Sequence, residues 1–286
     1  QFADSRVSAR NSLAQTESVL NSVSDAVTRG KTLMVQASNG TLSDADRQSV
    51  ASELRGVYES VIGQANATDG NGTHLFGGYK DSSEPFIRNS DGNIEYVGDE
   101  NARQQRIDSS RLMNVAENGK TIFQSAPSGA GYIAEAEKDT GDKNTGTVTF
   151  SGPKVVDSDK ASAGDKFTIT FNGSGEFDVK RDDGFVIANM GDFGSLDSKD
   201  SIRAGFGGLS LELEGNPDDG DQIQIGSGED MNTNLFETFE KALNVLETPA
   251  ETDTEKAALD NTLKTVMREF DNSLDNVLTE RASVGA

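Results

Sequence analysis

The chain has 286 residues, and its 26 lysines and arginines against 48 aspartates and glutamates give a formal net charge of −22. This charge repels phosphate backbones and anionic headgroups, so neither nucleic acid nor membrane surfaces are expected partners. There is no cysteine and one histidine, which excludes disulfides and thiolate chemistry and restricts imidazole chemistry to His74. Hydrophobic residues make up only 34%, which favours an elongated, surface-rich architecture over one large core.

The first forty residues carry a seven-residue repeat of small and apolar side chains, which predicts one long helix over about 4–38. The stripe consists of Ala9, Leu13, Thr16, Leu20, Val23, Val27, Gly30, Met34 and Ala37. Asn39-Gly40 is expected to end this helix with a left-handed residue. Ser43, with Asp46 three residues later, predicts a capped second helix that ends near Asn66.

Residues 73–126 change to short alternating segments, which predict a small β-hairpin region lying along the helices. The strand candidates are Gly92–Val97, Arg106–Asp108 and Leu112–Val115, and Gly119–Phe123 closes the section.

Residues 127–229 differ in composition from the rest of the chain. They hold 18 of the 30 glycines, with 20 acidic and nine basic residues, which suggests an inserted module. Five segments alternate apolar and polar residues: Thr147–Phe150, Lys166–Phe171, Glu176–Lys180, Leu209–Leu213 and Gln222–Ile225. The predicted insert is an all-β, antiparallel sandwich or barrel.

The C-terminal part repeats the helical pattern. A short amphipathic helix over 235–246 is stopped by Pro249, and a second long stripe follows within 254–283. Two long stripes at opposite ends are expected to bury each other in one bundle; the alternative is two independent helices for separate partners. Because both stripes reach the ends of the sequence, we expect the helices to continue beyond it.

The predicted fold is therefore α+β. An elongated bundle of long antiparallel helices from both termini, with the hairpin region, forms a discontinuous rod domain of residues 1–126 and 230–286. The second domain of the predicted fold is the all-β insert of residues 127–229.

No catalytic, cofactor-binding or metal-binding residue is predicted. His74 has no second histidine to work with. Asp218–Asp221 and Asp139–Asn144 have the composition of calcium loops but neither the twelve-residue spacing nor the closing glutamate. Gly205–Gly208 lacks the Lys-Ser/Thr ending of a phosphate loop.

Several segments resemble the flagellin superfamily, and its hook-associated members most closely. They are Asn39–Arg47, Ala65–Tyr79, the pair Pro85-Phe86, the tail Asn276–Ala286, and the β-segment from Gly207 to Ile223. The step Leu75-Phe76-Gly77-Gly78-Tyr79 is the most specific of these features and favours the hook-associated members over filament flagellin.

The resemblance implies a structural, non-enzymatic protein of the extracellular bacterial flagellum, exported by the flagellar type III apparatus and without a cofactor. It implies a ring of axially packed copies that joins hook to filament. The implied partners are hook-associated protein 1 on the hook side, flagellin on the filament side, and an export chaperone for the full-length chain. The family's terminal segments, which fold into an inner tube on assembly, have no counterpart here, so this chain alone is expected to be monomeric. The alternatives are filament flagellin itself and a secreted adhesin or enzyme carried by the insert.

Overall fold

The computed structural model describes residues 1–285, except for the side chains of Met113 and Val115. Its helices are α1 (Phe2–Ala37), α2 (Asp44–Ala65), α3 (Gly119–Phe123), α4 (Leu235–Glu247) and α5 (Asp253–Gly285). At about 1.5 Å per residue, α1 alone is about 50 Å long. The four longer helices pack side by side, and we call this bundle the column.

Two contacts show that α1 and α5 lie side by side and run antiparallel. Lys31 Nζ lies 2.5 Å from Asp271 Oδ1, and Arg281 Nη1 donates to Asn21 Oδ1 at 2.5 Å. Residue numbers fall by ten on α1 while they rise by ten on α5, so the two helices have opposite directions. The prediction of one bundle from both ends is confirmed, and the alternative of two independent helices is wrong.

The predicted stripes form the core of the column. On α1 every stripe residue is buried except Leu13, which is half-buried. Leu20 and Phe270 are fully buried in the same core, together with Tyr58 and Phe239 from α2 and α4. Gly30 lies against Phe270: a Cβ at that position would be 3.3 Å from the tip of the ring. The missing side chain therefore allows the aromatic ring of α5 to approach α1 closely.

The two predicted helix ends between α1 and α2 have different outcomes. Ser43 and Asp46 form the capping box, each side chain bonding the other's backbone N–H at 3.1 Å. The left-handed residue expected at Asn39-Gly40 is wrong, because neither residue has a positive φ. The α1 helix ends instead at Ser38, which keeps a right-handed conformation and bonds back to Met34.

The β-hairpin region predicted for residues 73–126 is present and consists of two hairpins. Strands β1 (Phe86–Arg88) and β2 (Ile94–Tyr96) pair with each other, as do β3 (Arg103–Arg106) and β4 (Leu112–Ala116). Gly119–Phe123 is the helix α3, whose first N–H groups are capped by Asn118, which accepts from Thr121 N at 3.0 Å.

The insert is all-β and antiparallel, as predicted. Its strands are β5 (Ile133–Glu135), β6 (Thr149–Val155), β7 (Phe167–Phe171), β8 (Phe177–Arg181), β9 (Val186–Ala188), β10 (Ser201–Phe206), β11 (Leu209–Glu214) and β12 (Gln222–Gly226). They form a five-stranded sheet in the order β5-β12-β7-β8-β9 and a three-stranded sheet in the order β10-β11-β6. One buried cluster draws side chains from both sheets, so the sheets enclose a single core. The domain boundaries at 127 and 229 stay a prediction.

Candidate assembly site

The turn after α2 is fixed by Asn66, whose side chain acts as a short stretch of strand. Its amide donates to Phe86 O and accepts from Phe86 N, both at 2.9 Å. This pair places the Phe86 ring against Phe123 and Phe236, with centroids 5.3 and 5.1 Å away. The first hairpin is thereby anchored to the core of the column.

The Gly77-Gly78 step is required by a carboxylate that lies where a side chain would stand. Gly78 has a φ of +65°, and a Cβ there would lie 1.8 Å from Asp99 Oδ1. The Asp99 carboxylate accepts from Tyr79 N at 2.8 Å and from Asn101 N at 2.9 Å. The motif that carried the family resemblance is therefore a structural turn, since its polar groups bond within the chain.

A row of polar side chains along α5 holds the insert by its backbone. Asn261 Nδ2 donates to Val148 O at 2.9 Å, and Lys264 Nζ donates to Phe150 O at 2.7 Å. The other bonds of this kind come from Thr265 to Ala134, from Arg268 to Tyr132 and Pro153, and from Asn272 to Gly131. Because these bonds extend over three turns of one helix, they fix the orientation of the insert on the column.

An ionic cluster joins the insert to two helices of the column. Lys241 Nζ on α4 lies 2.9 Å from Glu135 Oε1 on β5 and 3.0 Å from Glu269 Oε1 on α5. The Glu269 side chain is only 1% exposed and also accepts from Asn232 Nδ2 at 3.0 Å. Two carboxylates thus share one ammonium group; Glu269 is buried, whereas Glu135 and Lys241 remain about one fifth exposed.

The pKa values of the cluster follow from burial and charge. Burial raises the pKa of Glu269 to about 7, although Lys241 opposes the shift. Burial alone would lower the pKa of Lys241, but the carboxylates of Glu269 and Glu135 outweigh it and hold that pKa above its usual range. The lysine therefore stays charged in the folded protein.

The Asp218–Asp221 loop and His74, for which the sequence predicts no metal or catalytic role, make hydrogen bonds within the fold. The buried carboxylate of Asp221 accepts from the N–H groups of Thr145, Gly146 and Asp218 at 2.8–2.9 Å, which closes the loop. Nδ1 of His74 lies 3.0 Å from Asn66 O, within the turn. Residues 1–285 contain no group of three or more histidines and carboxylates placed to hold a metal. That the chain has no catalytic residue stays a prediction.

None of the helices in the described part of the chain is both long and apolar enough to cross a membrane.

Known proteins resemble this chain in sequence and in fold. The family described as "Bacterial flagellin N-terminal helical region" matches residues 1–81. Flagellar hook-associated protein 3 of Salmonella typhimurium is 38% identical over 144 residues, which is 50% of this chain and 44% of the relative. The FlgL structure from Xanthomonas campestris covers 99% of this chain and 90% of its own length, at a TM-score of 0.85 and 28% identity. Over residues 1–81 the chain is similar to bacterial flagellins, and over nearly its whole length it has the fold of FlgL.

The predicted similarity to hook-associated protein 3 is confirmed in sequence over half of this chain. The similarity of fold to FlgL extends over both helical ends and the insert. The flagellar junction protein FlgL of Legionella pneumophila has the same fold, with a TM-score of 0.81 over 99% of this chain and 86% of its own, at 24% identity. The alignment with the curated relatives spans less than half of their length. The relatives are named as flagellar components, in agreement with the expectation that the chain is not an enzyme.

Proposed function

We propose that this chain is a structural subunit of the bacterial flagellum that joins the hook to the flagellin filament. One observation carries the proposal: column and insert together match the FlgL structure from Xanthomonas campestris over 99% of this chain. The similarity therefore includes the insert, beyond the helical region that the superfamily shares.

The physical properties of the molecule suit a joint between two tubes. A joint must transmit force along its axis, and the column offers antiparallel helices with one continuous core. It must also keep its outer part in a fixed place. The hydrogen bonds from α5 and the Lys241 cluster hold the insert in this way.

The proposed partners follow from the position between hook and filament. Copies of the chain form a ring, with hook-associated protein 1 on the hook side and flagellin on the filament side. The full-length protein is exported through the flagellar type III apparatus with a chaperone and acts outside the cell.

Deleting the gene in the bacterium that encodes it tests the proposal. We expect cells that build hooks but carry no filaments and release flagellin into the medium, because the filament has no subunit to start on. Electron microscopy of the cells and a flagellin immunoblot of the medium measure both effects, and the intact gene restored on a plasmid is the control.

Filaments that stay attached to deleted cells would contradict the proposal. Hooks without filaments and no flagellin in cells or medium would instead identify the chain as filament flagellin. A glycan array and a hydrolase screen with the purified chain test the adhesin and enzyme alternatives, and binding or turnover there would favour them.

A further inference from the structure

Four arginines lie together beside the first turns of α1, and we call them the arginine patch: Arg6, Arg10, Arg106 and Arg111. Gln105 Nε2 donates to Ser5 O at 3.2 Å, and Arg6 Nε donates to Ile107 O at 3.4 Å, so the tip of the second hairpin lies against the start of α1. Arg6 and Arg10 are one helical turn apart and share a face. The patch is therefore formed by the first turns of α1 and by the tip of the second hairpin.

The patch is unusual because none of its four guanidinium groups lies within 4 Å of a carboxylate in residues 1–285. Seven of the chain's thirteen arginines form an ion pair within 4 Å, whereas within residues 1–285 the four patch arginines form none. All four side chains are exposed. In a chain with a net charge of −22, such a group of unpaired cations is not expected from composition.

The neighbouring acidic and apolar residues fit the same interpretation. Asp108, the acidic residue of the hairpin turn, accepts hydrogen bonds from Ser110 inside the turn, and the charge of Arg111 acts on the same carboxylate from beyond ion-pair distance. Val7 and Leu112 lie in the same two segments and are 57% and 54% exposed. Exposed apolar side chains among unpaired cations are typical of a protein-binding surface.

The opposite end of the column is rich in carboxylates, which are the groups that an arginine patch would bind. Where α1, α2, α4 and α5 meet the loops 38–43 and 248–252, six carboxylates stand against three cations. They are Asp44, Asp46, Glu247, Glu251, Asp253 and Glu255, with Arg47, Arg55 and Lys256. Arg47 pairs with Asp44, and Arg55 pairs with Glu247. Capping of helix ends accounts for Asp46 and Glu255. Glu251 and Asp253 are exposed and form no ion pair within the described residues.

We infer that the arginine patch docks against the carboxylate-rich end of an adjacent superfamily subunit in the flagellar tube, for which this chain's own acidic end is the model. The inference rests on the proposed function. Because α1 is about 50 Å long, the patch and the acidic end are too far apart to meet within one molecule, so the contact joins different subunits. A contact between unlike surfaces propagates along an axis, as a tubular assembly requires.

The test measures how the full-length protein attaches to purified hooks and how flagellin then grows from them. We expect Arg106→Glu/Arg111→Glu to weaken one of these two steps on the order of tenfold at low salt, because reversed charges repel the carboxylates. We also expect the wild-type protein to lose that step steeply as salt rises. The control is Lys154→Glu/Lys180→Glu, which makes the same change in net charge on exposed residues of the insert.

The outcomes separate this inference from the proposed function. If both steps proceed in the patch variant as in wild type, or if the control variant loses as much, the inference is overturned while the proposed function stands. If the wild-type protein itself neither attaches to hooks nor supports flagellin growth, the proposed function fails first. Circular dichroism and the melting temperature check that the patch variant is folded.

Discussion

Replacing Phe270 by alanine is expected to lower the free energy of unfolding by about 3–5 kcal/mol. The ring is fully buried between α1 and α4, and it meets the Phe239 ring edge-on with centroids 5.0 Å apart. The cavity left by its removal opens where Gly30 offers no side chain to fill it. Leu20→Ala removes a buried side chain on the facing helix and is expected to cost about 2–5 kcal/mol. Denaturant unfolding measures both.

Two alanine variants at exposed positions are the controls for this prediction. Val35 is on α1 but 59% exposed, and Lys199 is on the surface of the insert, so alanine at either position should change stability by less than about 0.5 kcal/mol. Equally small losses for Phe270→Ala and Leu20→Ala would mean that the two ends of the chain do not share a core.

Replacing Lys241 by methionine is expected to cost about 3–5 kcal/mol, because it leaves the buried Glu269 carboxylate beside Glu135 without its cation. The matched control is Lys120→Met, since Lys120 pairs with Glu100 on the surface, where such a pair contributes about 0–1 kcal/mol. Denaturant unfolding near pH 8 compares the two variants. Similar losses would contradict the buried ionic cluster.

The pH dependence of stability tests the same cluster through Glu269. The pKa of this carboxyl is about 7 in the folded chain against 4.5 in the unfolded reference, so the folded state binds the proton more tightly. The group's contribution therefore falls as the pH rises from 4.5 to about 7 and is constant above that, by about 3 kcal/mol in all. Glu269→Gln does not titrate, so the stability of wild type relative to this variant should fall by that amount. An unchanged difference from pH 4 to 8 would show that Glu269 is not buried.

The helices could be predicted because their signals are local and repeated. The α1 stripe and the Ser43–Asp46 box each depend on residues within a few turns, and both are present in the structure. The predicted left-handed end of α1 was wrong, because Asn39-Gly40 permits a left-handed residue but does not require one. Gly119–Phe123 became a helix because Asn118 caps it, a signal that the strand-like surroundings obscured.

Three strands of the insert, β5, β9 and β10, were not predicted, because their alternation of apolar and polar residues is weak. β5 and β9 have three residues each, too few to show a period. β10 does alternate, with Ile202, Ala204 and Phe206 buried, but alanine at the central buried position and glycine beside it reduced the contrast. Their pairing with distant strands decided the outcome, and that pairing is not visible in a local window.

The attachment of the insert was not predictable from the stripe on α5, because the relevant residues are polar. Asn261, Thr265 and Asn272 are buried, and each bonds to backbone more than 100 residues away. Their spacing of four and seven residues, one and two helical turns, is the signal that was available in the sequence. The partner atoms belong to the backbone, which has no sequence signature.

Growth of flagellin filaments from purified hooks that end in hook-associated protein 1 is the most direct measurement of the junction role. With the full-length protein added before flagellin, filaments should grow from the hook ends, and without it the ends should stay bare. The protein alone should form no long fibres. Hook ends that stay bare in its presence, or long fibres made of the protein by itself, would contradict a junction subunit.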